Sequence, residues 1–317
     1  MRLPRRLNEI LKKKEAFLDE LRSKFEGIAL KLQTNLFEDI ISEIIPKLEL
    51  KDGKILDNAN NYRLISELNK VYEAFNIKAI GIILPQINKG IEGITALNTT
   101  YFALAIPNAI ERFDKIIEGA KAITDLKIGL RAGKMIRGGY LMSTLKTDAA
   151  LTELKQLLLK LVTSQVDMKE FINAIKENVN GTDLKSGVYD RQLKRYAYDT
   201  YQQYDAAYNK KLAEEFGMKY FIYQGGIITD SRDFCVCHTD KVFSIEESEL
   251  WKTWIPSDCT DYPVGWPKAK DMNEHPGYMD YPGYDPLVDR GGYNCRHILG
   301  FISEELAQEM RPDIKTR

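Results

Sequence analysis

Residues 219–244 read KYFIYQGGIITDSRDFCVCHTDKVFS, and at this segment the sequence pattern changes from helical to mixed. The β-branched and aromatic run at 219–223 predicts a strand, and residues 241–243 predict a second short one. Ser244 followed three positions later by Glu247 is a capping box, which predicts that a helix begins there. The segment therefore indicates a small module of mixed helix and strand.

Upstream of this segment, apolar residues recur at helical spacing. The first stretch alternates steps of three and four, which places one apolar stripe on a helix: Leu18, Leu21, Phe25, Ile28 and Leu32. Packing within the domain accounts for this stripe. The alternative is a coiled coil with a partner, but the stripe is short for a coiled coil. Further helices are predicted after Asn60, after Asp148, from Asp167 to Gly181 and from about Tyr189 to Phe216.

The stretch from residue 80 to 139 is apolar but interrupted by proline and glycine. Its breakers include Pro85, Gly90 and Gly93. Because proline removes a helical hydrogen bond and glycine weakens a helix, this pattern predicts short, kinked or broken helices.

Together these patterns predict a mainly α fold with a small irregular α+β module at the C-terminal end. The predicted divisions are a helical body at 1–217, a compact α+β Cys/His module at 218–302, and a short C-terminal helix and tail at 303–317. Residues 255–292 are rich in Pro, Gly, Asp and Tyr, and they predict a long loop.

The bulk composition excludes several classes of protein. The chain has 317 residues, of which 45 are basic and 46 acidic, so net charge gives no general case for binding nucleic acid or an anionic membrane. No apolar run approaches the length of a membrane span, and no secretion signal is visible. Four cysteines are too few for a disulfide scaffold, so we expect reduced thiols in the cytoplasm of the producing cell.

One local charge patch lies at the start of the chain. Within residues 1–14 the only acidic residue is Glu9, and the basic residues are Arg2, Arg5, Arg6, Lys12, Lys13 and Lys14. The patch could be an arm that contacts nucleic-acid phosphates. The alternative is an ordinary solvated first turn of a helix.

The cysteines and histidines concentrate near the C-terminal end. All four Cys (235, 237, 259 and 295) and all three His (238, 275 and 297) fall there. Two short clusters offer the donors that a tetrahedral Zn²⁺ site uses, and the predicted ligands are Cys235, Cys237, Cys295 and His297. The alternatives are buried small residues or a disulfide formed after assembly. Cys259 and His275, alone in the loop, are expected to be incidental.

A catalytic use of these residues is the alternative hypothesis. Cys237, His238 and Asp233 are a nucleophile, a base and an orienting acid by type. Arg232, Asp233, His238 and His297 could serve a metal-independent nuclease, and the Cys/His cluster could serve a zinc-dependent enzyme that acts on nucleic acid. Adjacent residues on a strand point to opposite faces, however, so sequence neighbours rarely form such a triad. No phosphate-binding loop or hydrolase motif is present. We therefore expect a protein that is not an enzyme.

Residues from about 189 to 302 are predicted to form a long helix, a strand, a cysteine-bearing turn, a second strand and a terminal Cys-Arg segment. The positions that mark this pattern are Asp230, Arg232, Cys235, Lys241, Phe243, Asn294, Cys295 and Arg296. The pattern resembles the C-terminal module of a known family, the phage head morphogenesis (Mu F-like minor capsid) proteins. Many members carry C-x-x-C and H-P-x-C-R-C where this chain has C-x-C and N-C-R-H, yet the donors still suffice for zinc.

The resemblance implies a minor virion protein inside the capsid near the portal, present in the host cytoplasm during assembly. It would assist head assembly and DNA packaging or ejection. Its implied partners are the portal protein, the major capsid or scaffolding proteins, and packaged DNA contacted by the basic patch. The family does not imply an enzymatic activity.

Overall fold

The structure is a computed structural model that describes residues 3–107, 113–145, 149–182, 184–229, 231–254, 259, 282–292 and 295–314, without the side chains of 144–145, 189–190 and 192–199. It contains two compact units, each assembled from separated segments. Unit 1 comprises residues 1–19, 90–128 and 199–317, and unit 2 comprises residues 20–89 and 129–198. The predicted module at 218–302 thus belongs to a unit that also includes helical segments from earlier in the chain.

Helices dominate, which confirms the predicted mainly α fold with short sheets near the C-terminal end. The helices are α1 (Arg5–Glu43), α2 (Ala59–Ala105), α3 (Phe113–Lys127), α4 (Tyr140–Leu145), α5 (Ala149–Thr163), α6 (Met168–Asn180), α7 (Val188–Glu215), α8 (Asp233–His238), α9 (Ile245–Ser248), α10 (Pro286–Asp289) and α11 (Glu304–Met310). Single 3₁₀ turns lie at Ile45–Lys47 and Glu249–Thr253. Among the described residues, no helix is both long and apolar enough to cross a bilayer.

The strands are short. They are β1 (Leu50–Lys51), β2 (Lys54–Ile55), β3 (Leu130–Arg131), β4 (Lys134–Met135), β5 (Gly181–Thr182), β6 (Lys185–Ser186), β7 (Tyr220–Gln224), β8 (Lys241–Ser244) and β9 (Ile298–Ile302). The first six form three two-stranded hairpins, and the last three form one sheet in the order β8-β7-β9.

The prediction of short, kinked or broken helices between residues 80 and 139 is wrong as far as Ala105, because α2 is continuous over 47 residues. Beyond α2 it is confirmed at the β3–β4 turn, where Gly133 has a φ of 72°, and the helix α4 that follows has only six residues. Ile83 and Ile87 are fully buried on either side of Pro85, so the apolar stripe passes through the proline and packing outweighs its one lost hydrogen bond. The glycines serve close contact instead of breaking the helix. A Cβ at Gly90 would lie 2.3 Å from the Tyr201 ring, and one at Gly93 would lie 2.3 Å from the Phe17 ring.

The capping signals, in contrast, are confirmed. The Asp167 side chain accepts a hydrogen bond from the Glu170 N–H at the start of α6, and Gly181 ends that helix with a φ of 82°. Ser244 and Glu247 form both halves of the capping box that begins α9. Caps are predictable because they depend on residues only three positions apart.

Unit 2 repeatedly uses a tight hairpin to link two helices. The β1–β2 turn places Asp52 and Gly53 at positive φ, and the β3–β4 turn does the same with Ala132 and Gly133. Positive φ at both central residues defines the turn that matches the twist of a two-residue hairpin. In this unit α5 and α6 also pack together, with a hydrogen bond from Asn178 to Glu153 of 3.1 Å.

Unit 1 is built around the three-stranded antiparallel sheet. The central strand β7 pairs with β8 on one side and with β9 on the other. Every residue of β7 and β9 is buried, so both faces of the sheet are covered. Trp251 packs edge-on against Phe221 and Tyr223 of β7, with ring centroids 5.7 and 5.6 Å away.

Helical segments of unit 1 bond directly to the edge strand β9. The Tyr101 hydroxyl of α2 donates to the Phe301 carbonyl at 2.9 Å, and the Asn209 amide of α7 donates to the Leu299 carbonyl at 2.6 Å. Leu11 of α1 packs directly on Gly300, and a Cβ added to Gly300 would lie 2.6 Å from the Leu11 side chain. The sheet is thus tied to helices from three separate parts of the sequence.

The structure corrects one member of the predicted phosphate-contacting patch. Lys14 is 1% exposed and forms an ion pair of 3.2 Å with Asp205, and it also donates to Asn98 at 3.1 Å. Burial lowers the pKa of Lys14, and the carboxylate of Asp205 opposes that change. Lys14 therefore belongs to the core because its position falls on the buried face of α1. Four other side chains of the patch are exposed: Arg5, Arg6, Lys12 and Lys13. Arg2 lies outside the described residues.

Replacement of Lys14 by Met should destabilise unit 1 by about 3–5 kcal/mol, because Asp205 would remain buried without its counter-charge. Tryptophan fluorescence during urea unfolding reports this unit, since all three tryptophans lie between residues 199 and 317. A second change, Asp205→Leu, should restore part of the loss because no lone charge then remains.

The matched control is Arg5→Met on the same helix. Arg5 pairs with Glu9 at 2.8 Å, but its side chain is 92% exposed, so its loss should cost only about 0.5 kcal/mol. Equal unfolding free energies for Lys14→Met and Arg5→Met would contradict the assignment of a buried ion pair.

Candidate metal centre

Three of the four predicted ligands meet in one buried cluster. The Cys235 Sγ lies 3.9 Å from the Cys295 Sγ, and the Cys295 Sγ lies 3.7 Å from the His297 Nδ1. The donor atoms of Cys235, Cys295 and His297 all lie within 4.8 Å of one another, and the three residues are buried. Two thiols and an imidazole so placed could hold a metal ion.

The pairing of β7 with β9 explains why these residues meet. Gln224, the last residue of β7, lies opposite Ile298, the first residue of β9. The chain just after β7 and the chain just before β9 therefore run side by side, and a Cβ on Gly225 would lie 2.7 Å from the His297 ring. Helix α8 then carries Cys235 back to the same end of the sheet, where its sulfur faces that of Cys295.

Thr239 determines which nitrogen of His297 is free to bind an ion. The Thr239 hydroxyl donates its single hydrogen to the Cys235 carbonyl at 2.6 Å, so its oxygen can only accept from the His297 Nε2, 3.0 Å away. The neutral imidazole therefore carries its hydrogen on Nε2. Its Nδ1 keeps a lone pair directed toward the sulfurs, which is the state that a metal ligand requires.

The two thiols differ in acidity. Burial raises the pKa of Cys295, but the hydrogen bond with Cys235 and the positive charge of Arg290 help to hold it well below its ordinary value. The hydrogen bond to Cys295, together with burial, raises the pKa of Cys235 well above its ordinary value. Cys295 is thus the first of the pair to become a thiolate, the form that binds metals.

Glycine backbone closes the cluster on another side. A Cβ at Gly291 would lie 2.8 Å from the Cys235 Sγ and 3.2 Å from the Tyr223 hydroxyl. The main chain can approach the sulfurs this closely only because position 291 has no side chain. The cluster is consequently enclosed by its own module.

Cys237, the fourth predicted ligand, is not part of the cluster. Residues 233–238 form helix α8, and residues two apart on a helix point in different directions. Cys237 is bonded to Cys259 in a disulfide, and an oxidised sulfur has no thiolate to offer. The expectation that Cys259 is incidental is therefore wrong, while His275 lies outside the described residues.

His238, which the nuclease hypothesis would use, lies among aromatic rings. It stacks on Phe234 with ring centroids 3.8 Å apart and on Phe243 at 5.1 Å, and its Nδ1 bonds to the Phe234 carbonyl at 2.7 Å. His238 is 6% exposed and Asp233 is 3% exposed. Such enclosure suits a packing role better than proton transfer to a polynucleotide substrate.

Sequence reasoning missed two residues at the cluster, Thr239 and Tyr223. The Tyr223 hydroxyl lies 3.4 Å from the Cys235 Sγ and 3.1 Å from the Cys295 Sγ, and burial raises its pKa well above the ordinary value. The strand pattern places Tyr223 on the same face as Phe221, but nothing local indicates that its hydroxyl reaches two distant cysteines.

Thr239→Val should lower the affinity for a divalent probe such as Zn²⁺ by about 10–100-fold, because the orienting partner of His297 is lost. Competition with a chromophoric chelator measures this change. The matched control is Thr253→Val, since the exposed Thr253 hydroxyl also bonds a local carbonyl but is not part of the cluster. An unchanged affinity in Thr239→Val would contradict the assigned tautomer.

Thiol counting tests the sulfur pairing. Protein that is isolated without reductant and then unfolded should have two reactive thiols, Cys235 and Cys295, and reduction should increase the number to four. The double variant Cys237→Ser/Cys259→Ser should have two before and after reduction. Four reactive thiols in the unreduced wild type would refute the disulfide.

Comparison with known proteins shows a similarity to an enzyme over part of the chain. A 169-residue stretch is 27% identical to 2-isopropylmalate synthase from Lactococcus lactis subsp. cremoris (strain SK11) and takes in 51% of this chain. The chain spans about a third of the length of that relative, 32%, so the activity of the whole enzyme is not carried over. No model of a known protein family matches the chain. No solved structure matches it either.

Proposed function

We propose that this chain is a minor head protein of a phage particle, and that a structural zinc ion bound by Cys235, Cys295 and His297 closes its C-terminal module. The observation that carries the metal site is the meeting of these three donors in one buried cluster, and the phage head role rests on the resemblance of residues 189–302. The proposed place of the protein is the capsid interior near the portal. Its role there is to assist head assembly and DNA packaging or ejection.

The spacing of the donors supports zinc. Tetrahedral zinc with Zn–S bonds near 2.3 Å and Zn–N bonds near 2.0 Å separates two sulfurs by about 3.8 Å and a sulfur from a nitrogen by about 3.5 Å. The corresponding distances here are 3.9 Å for Cys235 to Cys295 and 3.7 Å for Cys295 to His297. An ion could therefore enter with little movement of the side chains.

The burial of the donors favours a structural ion over a catalytic one. Catalytic zinc keeps a position open to substrate or water, whereas structural zinc is enclosed. Cys235, Cys295 and His297 are 3–4% exposed, and Gly291 closes the cluster from another side. The ion would join positions 60 residues apart in the sequence and so fix helix α8 to the segment before β9.

The order of elements supports the assignment to the phage head. The resemblance calls for a long helix, a strand, a cysteine-bearing segment, a second strand and a terminal Cys-Arg segment. Helix α7, strand β7, helix α8, strand β8 and the segment before β9 occur in that order. Long helices offer surface for packing against portal, capsid or scaffolding subunits. The side chains of Arg5, Arg6, Lys12 and Lys13 are exposed, and in this proposal they contact phosphates of packaged DNA.

Elemental analysis tests the zinc proposal. The reduced and purified chain should contain about one zinc per molecule, and Cys295→Ser should abolish it because serine offers no thiolate. The matched control is the double variant Cys237→Ser/Cys259→Ser, which removes two sulfurs outside the cluster and should retain the ion. Equal zinc loss in both variants, or no zinc in the wild type, would contradict the assigned ligands.

Particle composition tests the proposed role. The chain should co-sediment with portal protein or proheads, and mass spectrometry should detect it in purified particles. Its absence from particles would refute the role. Incubation of the purified chain with plasmid DNA, with and without chelator, tests the nuclease alternative. That alternative requires that the wild type cleaves the plasmid and that His297→Ala does not.

A further inference from the structure

The phenol of Tyr223 occupies the position that a fourth donor would need. Its oxygen lies 3.1 Å from the Cys295 Sγ and 3.4 Å from the Cys235 Sγ, so it bridges the two sulfurs. Its ring stacks beside that of His297 with centroids 4.8 Å apart and planes inclined by 22°. Tyr223 and His297 thus approach the sulfurs side by side.

We infer that the Tyr223 oxygen is the fourth ligand of the ion held by Cys235, Cys295 and His297. A tetrahedral ion with bonds of 2.3 Å to sulfur and about 2.0 Å to oxygen separates those two atoms by about 3.5 Å. The two sulfur–oxygen distances are 3.1 and 3.4 Å, and the sulfurs are 3.9 Å apart. These distances approximate the edges of one tetrahedron. The inference rests on the proposed metal site.

Enclosure argues against solvent water as the fourth ligand. Tyr223 is fully buried, and the three other donors are 3–4% exposed. The Gly291 backbone is so near that a Cβ there would lie 3.2 Å from the phenol oxygen and 2.8 Å from the Cys235 sulfur. A water ligand would have to displace Tyr223 from between the sulfurs.

The charges of the module accommodate an anionic site. On binding, the two thiols and the phenol each release one proton to solvent, so a divalent ion with two thiolates and one phenolate carries a net charge of −1. Arg290 is 3% exposed and lies near Cys295, and Arg232 lies near Cys235 while it donates to the Gly291 carbonyl at 3.1 Å. Two guanidinium groups beside the sulfurs therefore stabilise the excess negative charge.

Ultraviolet difference spectroscopy of the full chain tests this inference. Titration of the metal-free, reduced protein with Zn²⁺ should generate the near-ultraviolet band of ionised tyrosine, at one tyrosinate for each ion bound. Tyr223→Phe should abolish that band. It should also weaken zinc binding by more than about 100-fold, which exceeds the loss of metal affinity expected for a residue that only orients a ligand. The control is Tyr220→Phe on the same strand, which should retain the band.

The outcomes separate this inference from the proposal beneath it. Zinc binding to the wild type without a tyrosinate band would overturn the role of Tyr223 and leave the three-residue site intact. Failure of the wild type to bind zinc would overturn both. Because the band is measured in the unmodified protein, the result does not depend on whether Tyr223→Phe folds.

Discussion

The antiparallel register of β7 against β9 is the constraint on which the C-terminal module depends. Because Gln224 lies opposite Ile298, the chain segments beyond the ends of these strands are neighbours, and His297 comes to lie against Gly225. A shift of one residue would turn the side chains of β9 to the opposite face and separate Cys295 from Cys235. Hydrogen bonds from Tyr101 and Asn209 to carbonyls of β9 maintain this register from helices distant in sequence.

At two places in the described part of unit 1, buried ionisable groups have compensating neighbours. Lys14 is buried against Asp205, and the thiols of Cys235 and Cys295 lie near two arginines. In a region of low dielectric constant an uncompensated charge is costly, so each such group restricts where its partner can be. The first pair therefore specifies how α1 packs on α7, and the second set specifies how the segments around the two cysteines meet.

Features set by neighbouring residues were predictable from sequence, and those set by tertiary contact were not. The strand at Tyr220–Gln224 and the caps at Asp167 and Ser244 follow from local patterns. The continuity of α2 does not, because Gly90 and Gly93 look like helix breakers until the rings that pack on them are known. At the candidate site the cysteines and His297 are recognisable by type. That Cys237 does not join the cluster is evident only once the short helix α8 that carries it is known. That Thr239 bonds to His297 is evident only once the segment before β9 is seen to lie beside it.

Helix α8 has only six residues, yet both of its cysteines are engaged in different chemistry. Cys235 faces the donor cluster, while Cys237 is cross-linked to Cys259 in a different direction. A helix this short has almost no stability of its own, so these two attachments hold it in place. With an ion in the proposed site, reducing agents would act on one attachment and chelators on the other, and the segment would stay anchored by whichever survives.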